Sequence, residues 1–197
     1  MESTPPAIEH RVADRIRALR AERGLTLGAL ADRSGVSRSM ISVIERAESS
    51  PTASVLDRLA AALGVTIATL FAEAERPDAA PLARAADQPV WSDPETGYVR
   101  RNLSPAGFPS PIELVEVTLP PGARVAYDSA SRLAPVDQQI WVITGAIEVT
   151  VGETTHQLAE GDCLAMRLDR PTTFRNRTAT PTRHLVALTT QTPRKLP

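Results

Sequence analysis

Apolar residues in the first third of the chain recur with helical spacing. Ile8, Val12, Ile16 and Leu19 lie at i, i+4, i+8 and i+11, which places them on one stripe of a helix. Gly24 follows a basic last turn, so this predicted helix runs from about residue 8 to residue 23. Capping residues and glycines predict four further helices, at 27–33, 38–46, 53–63 and 67–72.

The second half of the chain has the period-two alternation of strands. It predicts strands at 112–119, 139–143, 146–151 and 182–190, with a shorter one at 156–158. Thr144-Gly145 predicts a hairpin between the second and third of these strands, and Glu160-Gly161-Asp162 predicts another tight turn. Several short strands with regularly spaced turns favour a β-sandwich or barrel.

The composition changes near residue 73. Residues 72–90 contain three prolines, much alanine and mixed charge, which is typical of a linker, with a helical stretch expected at 73–75. The sequence therefore predicts a multi-domain α and β protein: an all-α, five-helix domain at 7–72, a linker at 73–90 and an all-β barrel at 91–190.

Charge and cysteine content restrict the classes of function. The whole chain has a net charge of −1, and residues 7–72 carry nine arginines against seven acidic residues, a small positive excess. Binding to nucleic acid would then depend on a few placed side chains. Cys163 is the only cysteine, which excludes an intrachain disulfide. No signal peptide or membrane span is recognisable, so we expect a cytoplasmic protein that does not bind membranes.

Residues 25–46 carry the pattern of two helices joined by a tight turn. Ala31 is small where two helices would cross, and Gly35 occupies a turn position that favours positive φ. Val36, Ile41 and Ile44 would hold the second helix against the rest of the domain. The side chains left on its outer face, which can reach base edges in a major groove, are Arg38, Ser39, Ser42, Val43 and Arg46.

This segment resembles the XRE-type, lambda-repressor-like helix-turn-helix family in Ala31, Gly35, Val36, Ile41-Ser42 and Ile44-Glu45. The resemblance implies that Arg38, Ser39 and Val43 read bases, with Arg38 suited to guanine. It implies backbone or flanking contacts for Thr26, Leu27 and Arg46, and the hydroxyl of Ser37 also suits a phosphate. Leu27 and Val43 replace polar residues common in the family, and Ala47 replaces the usual glycine.

The resemblance also implies an ion pair between Arg20, late in the first helix, and Glu45 of the recognition helix. The alternative is that these are two unrelated surface charges.

The second half resembles a small cupin barrel in its WVITG and LAEGD turns and in Phe174-Arg-Asn176. The resemblance places the four metal-ligand positions of cupins at Arg132, Ala134, Gln138 and Thr172. None of these is a good ligand, and His156 and His184 fall elsewhere, so we expect no metal, no cofactor and no enzymatic activity.

A barrel without a metal can still hold an organic ligand in its mouth. The predicted effector-binding residues are Arg132, Gln138, Ile140, Val142 and Thr172. Arg132 would pair with a carboxylate of an anionic effector, or else with a nearby acid such as Asp128 or Asp137. Trp141 is out of phase with Gln138 and is expected in a core or a dimer interface.

These observations predict a transcriptional regulator that binds double-stranded operator DNA as a homodimer and senses a small organic effector, whose signal would pass through the linker. Two alternatives are an enzyme localised by its DNA-binding domain, and a barrel that serves only for dimerisation.

Overall fold

The structure is a computed structural model that describes residues 8–73, 76–128 and 136–189. Five helices come first and lie close to their predicted positions: α1 (Ile8–Glu22), α2 (Leu27–Ser34), α3 (Arg38–Glu45), α4 (Ala53–Leu63) and α5 (Ile67–Phe71). We call them the head. Thr26, Ser37, Thr52 and Thr66 are the N-cap residues of α2 to α5, and each side-chain oxygen accepts a hydrogen bond from a backbone N–H of the first turn.

The segment that joins the helices to the strands differs from the prediction. Residue 73 is not helical, and residue 75 lies outside the described residues. A short 3-10 helix occurs later, at Ala85–Asp87. The first strand already begins at Val90, at the end of the predicted linker.

Ten antiparallel strands form the second half, which we call the barrel. They are β1 (Val90–Ser92), β2 (Val99–Asn102), β3 (Ile112–Leu119), β4 (Arg124–Tyr127), β5 (Asp137–Thr144), β6 (Ile147–Val151), β7 (Thr154–Leu158), β8 (Cys163–Arg167), β9 (Thr172–Arg175) and β10 (Thr182–Thr189). One sheet has the order β1-β2-β3-β10-β5-β8, and the other has the order β4-β9-β6-β7. These two antiparallel sheets form the predicted cupin-like jelly roll.

The hairpin predicted at Thr144-Gly145 is wrong. β5 pairs with β10 and β8, whereas β6 pairs with β7 and β9 in the other sheet. Gly145, at φ +82°, is therefore where the chain crosses between the sheets. A Cβ atom there would lie 3.2 Å from the Thr182 side chain, so the crossing also leaves little room for a larger residue.

The head packs directly against the barrel. A carboxylate oxygen of Asp93, which follows β1, accepts a hydrogen bond of 3.0 Å from the backbone N–H of Ala53 at the start of α4. The Trp91 ring lies 5.5 Å from the Phe71 ring of α5 and 5.7 Å from the Tyr98 ring of the barrel. The buried apolar residues of both halves thus form one continuous cluster.

Ala47 has a strained backbone directly after α3. Its φ is +55°, and it is the single non-glycine residue with positive φ among those the structure describes. The methyl group of alanine makes this left-handed conformation unfavourable, whereas glycine adopts it freely.

We expect Ala47→Gly to stabilise the protein. Relief of the left-handed strain is worth about 1–2 kcal/mol, and the extra freedom of glycine in the unfolded chain offsets about 0.4–1 kcal/mol of it. Urea denaturation should therefore show a net gain of roughly 0.5–1 kcal/mol in the free energy of unfolding. Ala21→Gly, on the exposed side of α1, is the control and should lose about 1 kcal/mol. A loss at both positions would contradict the assignment of strain.

Candidate nucleic-acid interface and ligand cavity

The turn between α2 and α3 fixes the orientation of α3. Gly35 is left-handed, at φ +65°, and its N–H donates to the Ala31 carbonyl, which closes the end of α2. Val36, just before α3, and Ile41 and Ile44, within α3, are buried. These apolar anchors hold one face of α3 against the head and leave the opposite face towards solvent.

The free face of α3 is short and of mixed chemistry. Arg38 and Ser39 are exposed, whereas Ser42 and Val43 are half-buried. Met40 is exposed as well, a flexible apolar side chain that the sequence pattern did not single out. The surface offers a guanidinium, hydroxyls and apolar groups, which together can contact base edges and thymine methyl groups.

The N-termini of α2 and α3 present hydroxyls and backbone amides. The hydroxyl of Thr26 accepts from the Ala29 N–H, and that of Ser37 accepts from the Met40 N–H. Both residues are exposed, and Leu27 beside Thr26 is half-buried. A capping hydroxyl can still donate its own proton to a phosphate oxygen, and the helix N-terminus favours that negative charge.

Arg46, at the end of α3, is already engaged by an acid. Its guanidinium donates two hydrogen bonds of 2.7 Å to Glu48 and one to the Ser42 hydroxyl. The Glu48 contact raises the pKa of Arg46 and lowers the pKa of Glu48. A phosphate that approaches Arg46 must therefore compete with a neighbouring carboxylate.

The structure brings Arg20 and Glu45 together across the head. The guanidinium of Arg20 donates to both carboxylate oxygens of Glu45, at 2.6 and 2.8 Å, and to the Leu25 carbonyl. Their side chains are 18% and 7% exposed. The hydrogen bond from Arg20 to Glu45 raises the pKa of Arg20. Arg17 donates to the Glu45 backbone carbonyl, so α1 holds the end of α3 at two points.

A cavity lies where α4 and α5 meet the mouth of the barrel. The cavity volume is about 70 Å³, and roughly 10–15 Å³ is enough to hold one water molecule. The cavity therefore has room for a small organic molecule. The head lines it with Asp57, Thr66, Ile67 and Ala68, and the polar barrel residues that line it are Tyr98, Arg100, Tyr127, Gln138, Thr172 and His184.

The predicted effector-binding residues divide into three groups. Gln138 and Thr172 are buried and line the cavity. Ile140 and Val142 lie on the same inward side of β5 as Gln138 but pack in the core and not in the cavity lining. Residue Arg132 lies outside the described residues, as does Ala134. Asp137, one of the acids considered as its partner, accepts a hydrogen bond from Arg167.

Sequence reasoning missed the charged and aromatic groups of this cavity. Arg100 lies on β2, a strand that was not predicted, and the buried guanidinium stands 5.3 Å from the Phe71 ring centre. Burial lowers the pKa of His184 to about 4, so the imidazole is neutral. Burial also raises the pKa of Tyr127.

Glu113 of β3 links the barrel edge to α5. One of its carboxylate oxygens accepts a hydrogen bond of 3.2 Å from the Thr66 hydroxyl. Burial raises the pKa of Glu113, against the opposing effects of the Arg100 charge and the hydrogen bond from Thr66. The head and the barrel thus share a second polar contact, in addition to that between Asp93 and Ala53.

Trp141 is on the outer surface of β5, so its predicted place in a core is wrong. The side chain is 48% exposed, and the indole N–H donates to the Gly161 carbonyl. Strand alternation turns Trp141 outward because Ile140 and Val142 point inward. The other predicted location, a dimer interface, stays a prediction.

Two features of the described residues bear on other classes of protein. They contain no group of three or more His, Cys, Asp or Glu residues that could hold a metal ion. None of their helices combines the length and the apolar character needed to cross a membrane.

A five-helix head in which a tight turn joins α2 to the exposed helix α3 is the arrangement of a helix-turn-helix domain. A jelly roll follows it. Residues 16–70 match the helix-turn-helix family HTH_3, so this segment is a helix-turn-helix domain, and the chain is a DNA-binding transcriptional regulator.

Relatives along nearly the whole chain carry the same designation. The chain is similar to the HTH-type transcriptional regulator PuuR of Escherichia coli (strain K12), with 27% identity over 84% of this chain and 87% of PuuR. It is also similar to the regulator SutR of the same organism, with 27% identity over 82% of this chain and 84% of SutR. A crystal structure of an HTH_3 family transcriptional regulator from Vibrio cholerae superposes with a TM-score of 0.73 at 26% identity, over 93% of this chain and 97% of that one.

We expect Glu45→Ala to destabilise the protein by roughly 3 kcal/mol, because it leaves the Arg20 guanidinium mostly buried without its partner. Chemical denaturation gives the free energy of unfolding. Glu48→Ala is the matched control, since it breaks an ion pair with Arg46 that solvent surrounds and should change stability little. Similar, small losses for both variants would contradict a structural role for the Arg20–Glu45 pair.

Proposed function

We propose that this protein is a cytoplasmic, homodimeric regulator whose head reads operator DNA and whose barrel binds a small organic effector. In this proposal the head comprises residues 7–72, the linker residues 73–90 and the barrel residues 91–190. The observation that carries the proposal is the cavity that α4 and α5 share with the barrel mouth. A molecule bound there would touch the DNA-binding half and the sensing half at once.

The DNA contact is assigned to the outer face of α3 and the capped N-termini of α2 and α3. Arg38 and Ser39 are the exposed polar groups nearest the start of α3, the end that enters a major groove first. The predicted interface comprises Thr26, Leu27, Ser37, Arg38, Ser39, Ser42, Val43 and Arg46, and we add Met40 to it. Arg46 contributes less than its charge implies because Glu48 already binds it.

Dimerisation follows from the small size of this reading surface. One α3 helix contacts only a few base pairs, so a second copy is needed for selectivity in a genome. Two heads related by two-fold symmetry would read half-sites about 34 Å apart, one helical turn of DNA. Trp141 marks an outer face of the barrel where two copies could meet.

Coupling between effector and DNA has a shorter route than the linker. Because α4 and α5 line the cavity and pack against the other helices of the head, an effector bound there can shift the head by direct contact. An effector must bind the two head positions with different affinity to act in this way, and a tenfold change in operator affinity requires about 1.4 kcal/mol of coupling.

The alternative functions have weaker support. For a cupin enzyme, Gln138 and Thr172 supply only neutral oxygen donors at metal-ligand positions, and the similar proteins PuuR and SutR are named transcriptional regulators. For a barrel that only dimerises, a cavity lined by buried polar groups has no purpose, since each such group costs desolvation energy.

We expect Arg38→Ala to weaken binding to a selected operator by about 1–3 kcal/mol and to relax specificity at one base pair. Fluorescence anisotropy at physiological salt, with operators varied base by base, measures both effects. Arg124→Ala, on the barrel, is the control and should bind as wild type does. Unchanged affinity and specificity in Arg38→Ala would refute the assignment of α3. Light scattering on the complex should give two chains per operator.

We expect Asp93→Ala to weaken the coupling between effector and operator. The substitution removes the carboxylate that joins the barrel to the start of α4, so a ligand signal should reach the head less efficiently. Compounds that raise the melting temperature of the full chain are first selected, and operator affinity is then measured with and without them. A wild-type change of tenfold or more should fall severalfold in Asp93→Ala. Glu153→Ala, which changes an exposed barrel acid, is the control. Equal coupling in all three proteins would contradict the direct route.

A further inference from the structure

Arg100 brings an incompletely satisfied cation to the cavity. Arg100 is only 6% exposed. Its Nε–H donates a hydrogen bond of 3.2 Å to the side-chain oxygen of Asn102, which is a neutral acceptor. The guanidinium also lies over the Phe71 ring. Its Nη2 atom is buried and has no hydrogen-bond partner within the described ranges. A buried charge without full hydrogen bonding is costly, so this nitrogen is suited to a partner that arrives with a ligand.

His184 brings a second unsatisfied atom to the same wall. The strand register aligns Arg100 with Val117 of β3, and Val117 with His184 of β10. Both polar side chains therefore lie in one cross-strand row and line the cavity on either side of Val117. His184 is 3% exposed, and its Nδ1 atom has no hydrogen-bond partner among the residues described. The wall thus offers one cationic donor and one neutral imidazole.

The acids near the cavity are engaged within the protein. Asp57 lines the cavity but already has an interaction within the chain. Glu113 accepts the hydrogen bond from Thr66. Among the described lining residues, Arg100 and His184 each have a buried nitrogen without a hydrogen-bond partner, and the positive charge of Arg100 favours a ligand that supplies oxygen acceptors and negative charge.

We propose that the ligand of this cavity is a small aliphatic carboxylate and that Arg100 is the residue that binds its carboxylate. This inference rests on the proposed effector function and assigns the chemical class of the effector. The imidazole of His184 forms one further hydrogen bond with the same molecule. The hydrocarbon part packs against apolar lining residues, which include Val117, Leu119, Val125, Val186 and Leu188. A cavity for roughly five to seven waters fits a carboxylate of a few carbon atoms.

The experiment compares three unbranched four-carbon compounds with different head groups: butyrate, butyramide and butylamine. Binding to the full chain without DNA is measured by calorimetry and by the shift in melting temperature. We expect butyrate to bind at least tenfold more tightly than either of the others. Arg100→Gln should abolish that preference, and Arg100→Lys, which keeps the charge, should retain part of it. Arg101→Gln, the neighbour that pairs with Glu116, should keep the wild-type preference.

The outcomes separate this inference from the proposed function. Equal or tighter binding of butylamine or butyramide would overturn the carboxylate assignment but leave an effector cavity. A butyrate preference that survives Arg100→Gln would overturn the role of Arg100. The absence of binding by all three compounds would also overturn the inference. The wild-type comparison does not depend on how well any variant folds.

Discussion

The carboxylate of Asp93 connects the two halves of this protein at the start of α4. The first N–H groups of a helix have no partner within the helix, and Thr52 caps only one of those in α4. One carboxylate oxygen of Asp93 accepts a hydrogen bond from another of these groups, the N–H of Ala53. The second oxygen accepts a hydrogen bond from the N–H of Thr96. Its negative charge also lies at the positive end of the helix dipole. The position of α4, and with it the wall of the cavity, depends on this contact.

The head and the barrel are therefore parts of one packed unit in this structure. α1 fixes α3 through the Arg20–Glu45 pair, and α4 and α5 rest on the barrel through Asp93 and the Phe71–Trp91 contact. The barrel wall and α3 are thus connected through packed side chains, the Asp93 contact and the Arg20–Glu45 pair. Regulation by a small ligand would require that these contacts have two arrangements of similar energy and that the ligand binds one of them more tightly.

The helices and the central strands could be predicted because their signals are local. Thr26 and Thr52 cap helices a few residues away, Gly35 closes α2, and the alternation in 112–119 gave β3 its bounds. The outer face of α3 followed from the same periodicity. Met40 was missed because a residue at the boundary between the buried face and the polar face of a helix can be either buried or exposed.

The remaining features depend on contacts between distant residues. The Thr144-Gly145 pattern is that of a hairpin, yet β5 pairs with β10 and β6 pairs with β9. These pairings place β5 and β6 in different sheets. β1 and β2 are too short to have a distinct alternation. Arg100 and His184 are far apart in sequence and become neighbours only through the register of three strands. No local pattern indicates that the head would close one side of the barrel mouth.

The two tryptophans provide optical probes at opposite kinds of site. Trp91 is buried between Phe71 of the head and Tyr98 of the barrel, whereas Trp141 is exposed on the outer surface of β5. The chain has no other tryptophan. Acrylamide should therefore quench the fluorescence of Trp141 readily, and the emission of Trp91 should shift to longer wavelength when the two halves separate. A Trp141→Phe protein would then report the junction alone in real time, without an attached dye.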